Sequence, residues 1–197
     1  MGVSEGEGFV AVSTVYISFS AEVNQATTAS LLGTCSKILR QRKKVETVYL
    51  LLSTPGGTVM DGLNLYNLLR AMPFKLITHN VGTINSVGNV LFLAGEERYS
   101  NPHATFMFHG VGVDVTHKIR FEEKNLRERL DSLMAEQTRM ANILAERTKL
   151  TMGDIQALFL QAVTKDPDYA RTHGIIHDIR EFQLPDGAPF LHLVFQR

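Results

Sequence analysis

Residues Val45–Leu52 form a nearly continuous apolar run of strand length, interrupted only by Glu46 and Thr47, which stops at Ser53-Thr-Pro-Gly-Gly57. A strand with one wet face alternates apolar and polar residues. A run without that alternation reads as a strand buried on both faces, the condition of a parallel sheet covered on each side. Such a strand needs neighbours of the same kind and crossovers long enough to return the chain to the same end of the sheet.

The flanking sequence supplies them. Val10–Phe19 is β-branched and loosely alternating, a strand. Ala21–Leu39 carries Leu31, Leu32, Cys35, Ile38 and Leu39 at helical spacing and runs into basic residues 40–44, which suit a helix C-terminus. Helical spacing resumes from Met60 to Met72 and Pro73 closes it. Lys75–His79 reads as a short strand, followed by a helix to about Ala94. Glu96–Ser100 and Ala104–His109 read as strands around the turn Asn101-Pro102. A long charged helix is expected over 120–147, with an apolar stripe through Leu126, Leu130, Leu133, Met134, Met140, Ile143 and Leu144. So narrow a stripe is hard for one small domain to cover, and a partner subunit is expected there. Thr151-Met-Gly-Asp154 has the form of a capping start. Asp166–His173 reads as a short helix, Gly174–His177 as a short strand, and the tail from Pro185 as an edge strand or arm. The alternation predicts one α/β domain over 197 residues, with mostly parallel strands and helical crossovers, a flexible start over 1–9 and a C-terminal extension over 181–197.

Lys+Arg and Asp+Glu both number 20, so no net field draws the chain to nucleic acid or to an anionic membrane. The single cysteine, Cys35, excludes an internal disulfide and any multi-cysteine metal site, and reads as a small core residue. No apolar run approaches the ~20 residues of a membrane span. The acidic, glycine-rich start is unlike a secretory signal, so the cytosol is the expected location.

Three features suggest chemistry. The glycines of Thr54-Pro-Gly-Gly57 stand where a buried strand ends, and consecutive free N–H groups at such a turn attract an anion. Within Gly82-Thr-Ile-Asn-Ser-Val-Gly-Asn89, Ser86 lies at the head of a short apolar helix that Asn85 could cap, leaving the serine free to point elsewhere. His109 follows the strand Thr105-Phe-Met-Phe108. Singly, each has a plain structural reading: a βα turn, a capped core helix, a structural histidine. Together they supply a nucleophile, a base and an oxyanion hole, because serine reacts at neutral pH only when a base takes its proton.

In the order Thr54-Pro-Gly-Gly57, Gly82-x-x-x-Ser86-x-Gly88 and Phe106-Met-Phe-His109, the chain resembles the proteolytic subunit of the caseinolytic (Clp) protease, ClpP. The resemblance runs from about Val15 to Ile179 and includes the long helix and a closing Tyr169-Ala-x-x-x-Gly174-Ile-Ile. The 29-residue step from Gly57 to Ser86 fits the family; the 23-residue step from Ser86 to His109 is a couple short of it. The resemblance implies a ClpP/crotonase-type fold whose long helix is a handle, in a homo-oligomer of stacked rings acting on peptides or unfolded protein. It implies Ser86 as nucleophile, His109 as general base, and the Gly57 and Val87 N–H groups as oxyanion hole. Gly56, Thr58 and Val59 would help hold an extended peptide by strand addition. No metal and no bound cofactor is implied.

The departures matter as much. The family's acid falls about twelve residues before Gly174, where Ala162 stands. Asp166 is the candidate replacement, and it is equally placed to cap the helix beginning near Pro167. The outcomes are a relocated acid, a weak Ser–His dyad, or a catalytically inactive ring subunit; a crotonase-fold enzyme acting on an acyl-CoA thioester is the alternative from another class. Ile84, Asn85 and Val87 are bulkier than the small residues usual around such a serine. Only about ten residues precede the first strand, which weakens the expectation of an ATPase unfoldase partner.

Overall fold

The computed structural model describes residues 14–41, 45–113 and 120–195. The expected flexible start, residues 1–9, lies outside them. The centre of the sheet is built as the apolar run at Val45 requires. β1 (Thr14–Ser20), β2 (Thr47–Thr54) and β3 (Lys75–Asn85) lie parallel, with Ile17 beside Leu50 and Leu50 beside Thr78. α1 (Gln25–Gln41) and α2 (Val59–Arg70) make the crossovers, and their apolar faces join Val15, Ile17, Phe19, Val48, Leu50 and Leu52 in one core. Cys35 sits in that core, where burial pushes its thiol up to about 12, so it is an inert packing residue.

β3 serves two neighbours in turn. Its first half pairs with β4 (Glu97–Ser100), Ile77 beside Glu97; its last residues pair with β5 (Thr105–Phe108), Thr83 beside Thr105 and Asn85 beside Met107. α3 (Gly88–Phe92) lies between β3 and β4 in the chain. α4 (Glu123–Arg147), α5 (Met152–Gln161), β6 (Val163–Lys165), α6 (Pro167–Thr172), β7 (Asp178–Ile179) and β8 (Phe190–His192) complete the described chain. Across the sheet the order is β6-β5-β3-β2-β1-β8, with β4 and β7 branching from β3; all pairs are parallel except β5 with β6. The fold is α/β with a mostly parallel sheet, as read from the sequence, and the long helix is present over 25 residues.

Several boundaries differ, each for a local reason. The first helix begins at Gln25, not Ala21, because Asn24 and Thr27 cap it reciprocally: Asn24 Oδ1 accepts from Thr27 N at 3.0 Å and Thr27 Oγ1 from Asn24 N at 3.1 Å. Lys75–His79 is only the start of a strand that runs on to Asn85, since Thr83–Asn85 finds a partner in β5. Gly174–His177 is not a strand. Gly174 turns with φ +71° and the Ile175 and Ile176 N–H groups both close back on the Ala170 carbonyl, so pairing waits until Asp178. β6 was not legible: α5 stops at Ala162 in the left-handed conformation, and the next three residues pair antiparallel to β5.

The second face of the sheet is covered by the tail rather than by a helix. Phe182 packs on the rings of Tyr16, Tyr49 and His79 at 5.9, 5.7 and 5.9 Å, and β8 adds a parallel edge to β1. His79 is fully buried there, bonded to Tyr49 Oη at 2.7 Å and through Nε2 to the Arg180 carbonyl at 3.1 Å. Among the described residues no helix is long and apolar enough to cross a membrane, and no three His, Cys, Asp or Glu residues gather as a metal site.

Candidate active site

The site forms where β2, β3 and β5 end. β2 stops at Thr54, and Thr54 Oγ1 accepts from Gly56 N at 3.1 Å, tightening the turn. Gly56 and Gly57 take φ of +94° and +146°, and both positions have to be bare. A Cβ at Gly56 would come within 2.8 Å of Asn85 O and Ser86 Cβ, and one at Gly57 would overlap the backbone of Val23. The turn therefore rests directly on Ser86.

Val23 pairs with this turn. Its N–H donates to Gly56 O at 2.7 Å and its carbonyl accepts from Thr58 N at 2.8 Å. One edge of the Gly56–Val59 segment is thus occupied by the chain itself. The N–H and C=O of Gly57 point to the opposite edge and engage nothing among the described residues. Thr58 is exposed and Val59, buried, opens α2.

Ser86 leaves β3 with φ +55°, one of two non-glycine residues with positive φ among those described. Such a conformation costs a non-glycine residue of order 1–3 kcal/mol and persists only where surroundings fix it. Three bonds do so: Ser86 N donates to Met107 O at 2.9 Å, and Ser86 O accepts from Asn89 N and from Asn89 Nδ2, each at 3.0 Å. The expected cap at Asn85 is not found, because Asn85 is the last residue of β3; its Oδ1 accepts from Thr83 Oγ1 at 2.7 Å. α3 opens at Val87 with no side-chain cap. The Val87 N–H donates to no acceptor among the described residues, and its side chain occupies the space that Gly62 of α2 leaves open.

His109 follows β5, two residues beyond the carbonyl that holds Ser86. Its Nδ1 lies 2.7 Å from the carbonyl oxygen of Gly110. A carbonyl only accepts, so Nδ1 carries the proton and Nε2 is left as the basic nitrogen. Among the described residues no hydrogen bond joins the ring to Ser86 Oγ; such contacts are often long before a substrate is bound. Asp166 is the N-cap of α6, accepting from Tyr169 N at 2.7 Å, so its carboxylate has local work to do. The β5–β6 ladder ends at Phe108 beside Val163, and Ala162, the residue before Val163, is the left-handed C-cap of α5.

Sequence reasoning anticipated Ser86, His109 and the glycine turn but passed over Val23 and Asn89. Asn89 had a signal, a lone amide inside the apolar stretch Gly88–Leu93. Val23 had none, because its partner is 34 residues away. Beside the turn, Ser53, Pro55 and Thr83 share a cavity of about 890 Å³ with Glu22, Asn24 and Phe195. It lies at the carboxyl ends of the strands, the end at which open α/β sheets take ligands.

A family model described as Clp protease matches residues 10–183. Among curated proteins, the chain is 25% identical over 143 residues to ATP-dependent Clp protease proteolytic subunit 1 of Leifsonia xyli subsp. xyli, covering 70% of this chain and 68% of that one. It is 28% identical over 143 residues to the protein of the same name from Corynebacterium jeikeium, covering 70% and 69%. It is 26% identical over 138 residues to the ATP-dependent Clp protease proteolytic subunit of Oenothera elata subsp. hookeri, covering 68% of this chain and 54% of that protein.

Proposed function

This chain belongs to the Clp protease family, and we propose that it is a serine-type peptidase working by a Ser86–His109 dyad within a homo-oligomeric ring. The observation that carries the reading is the convergence on one spot of a strained Ser86, the Gly56-Gly57 turn packed against it, and two N–H groups without acceptors among the described residues.

Ser86 Oγ attacks the peptide carbonyl while His109 Nε2 takes its proton. Charge developing on the carbonyl oxygen is met by the N–H groups of Gly57 and Val87; losing one such donor typically costs about 10²–10³ in rate. The imidazolium then returns the proton to the leaving amine as the C–N bond breaks. Water, activated by the same nitrogen, hydrolyses the acyl-serine. The peptide lies along the free edge of Gly56–Val59, where Gly57 alone offers both an N–H and a C=O.

The Gly110 carbonyl takes the orienting part of a triad acid. It fixes the tautomer but brings no full negative charge to the imidazolium. In a serine triad whose aspartate was neutralised, the loss of about 10⁴ came with the wrong tautomer. Here the tautomer is retained, so the dyad should sit below a full triad by less than that factor.

A fluorophosphonate probe tests the reading: intact assembly should be labelled at Ser86, and Ser86→Ala should abolish both label and peptide hydrolysis. Intact assembly without label sinks the hydrolase. The methyl group of Ala162, where the family's acid is expected, favours a second reading, a ring subunit that keeps the fold and assembly surfaces without turnover. That reading predicts normal assembly, no label, and no effect of Ser86→Ala.

A further inference from the structure

The side chain of Asn89 is 1% exposed, yet it lies in a five-residue helix whose other residues are glycine and apolar. Its amide nitrogen donates to two carbonyls: Ser86 O at 3.0 Å, at the elbow, and Met107 O at 2.9 Å, on β5. Two carbonyl oxygens can be met only by the NH₂ end of an amide, so the partners settle its orientation. The Oδ1 atom is left buried with no hydrogen-bond partner among the described residues. An apolar residue of the same shape would spare the fold that unpaired oxygen, so a buried amide kept half-satisfied calls for a reason beyond packing.

Its two bonds supply one. Ser86 and His109 follow different strands, and among the described residues no carboxylate bonds to the His109 ring; Nδ1 answers to the carbonyl of the next residue, Gly110. The ring is therefore placed only as well as the end of β5 is placed against the elbow of β3. Met107 O receives Ser86 N and Asn89 Nδ2, while Ser86 O receives Asn89 N and the same Nδ2. We infer that Asn89 is a positioning residue of the site, clamping the nucleophile's elbow to the strand that presents the base. The inference rests on the Ser86–His109 reading. It assigns to an amide on α3 the alignment of nucleophile and base.

The test compares the full-length assembly with Asn89→Leu, which keeps the shape and removes both donors and the unpaired oxygen. Thermal stability should be unchanged or higher and assembly unchanged, while fluorophosphonate labelling of Ser86 slows by about 10²-fold, the cost of a small misplacement of reacting groups. For a peptide substrate, kcat should fall by the same factor with KM nearly constant. Amide hydrogen exchange reads the clamp without chemistry: peptides spanning 85–90 and 106–110 should lose protection together. Should Asn89→Leu fail to fold, Asn89→Ala carries the same comparison. Labelling at the wild-type rate in the variant, or normal exchange in both segments, overturns the inference. Wild type that takes no label, with coupled loss of protection in the variant, removes the hydrolase reading and leaves the clamp standing.

Discussion

The β5–β6 ladder ends with Phe108 beside Val163, and His109 and Ala162 are the residues that adjoin this last pair. Ala162 holds φ +51°, a region aspartate and asparagine enter more readily than alanine. Ala162→Asp would restore a carboxylate where the family's acid is expected, in a backbone conformation that aspartate tolerates, and stability should stay within about 1 kcal/mol. With a full negative charge available to the imidazolium, kcat/KM for a peptide should rise at least about tenfold, read in a fluorogenic peptide assay. No rise would mean that the ring does not turn from Gly110, leaving the carbonyl as its sole orienting partner. Asp166→Asn, by contrast, should leave the rate alone, because that side chain caps α6. The choice between Ala162 and Asp166 was not legible in the sequence. Asp166 lies four residues past the expected position, and only the tertiary structure shows that its carboxylate caps α6.

Among the elements, the tail is held to the sheet by a buried imidazole, His79. Burial pushes the His79 imidazole below its usual value of 6.5, against the opposing pull of its hydrogen bonds. His177 is lowered as well, again chiefly by burial, with Arg98 adding repulsion. Both are more readily protonated in the unfolded chain than in the folded one, so the unfolded state binds more protons once the pH drops below about 6.5. Stability should be flat above that pH and decline below it, levelling only beneath the folded values. His79→Leu should flatten the part of this slope that His79 contributes; melting temperatures at about pH 7.5, 6.5 and 5.5 would measure it. An unchanged slope would place the titration elsewhere than beneath Phe182.

For the molecule as a whole, one surface stands out. Leu126, Leu130 and Met134 follow each other at four-residue intervals on α4 and are 53, 55 and 58% exposed in the single chain. The buried part of the same helix is confined to Met140, Ala141 and Leu144 near its end. A stripe of this kind is what a helix presents to a second copy in the proposed ring assembly. Leu126→Glu with Leu130→Glu should convert the assembly to smaller species in sedimentation velocity. The folded chain should lose no more than about 1 kcal/mol, since neither residue is in its core. Unaltered sedimentation would put the contacts between copies on another face.

By itself the sequence determined the class of fold and named the residues of a candidate site. A strand without alternation, helical spacing on both sides of it, and glycines at the strand end are local signals, because burial is written into the period of the residues that undergo it. The Ser86 and His109 candidates came from the same source, as reactive side chains at the ends of apolar strands. The tertiary structure alone decided what each polar group meets. It carried β3 on through Thr83–Asn85 to meet β5, turned the expected cap Asn85 into a strand end, and brought Val23 to Gly57 and Phe182 to His79. It gave the His109 ring the Gly110 carbonyl and made Asp166 a helix cap. Those partners lie far apart in the chain or depend on strand register, and a hydrogen bond leaves no period in the sequence. Even Asn89, conspicuous in an apolar run, acquires meaning only when β5 arrives beside it.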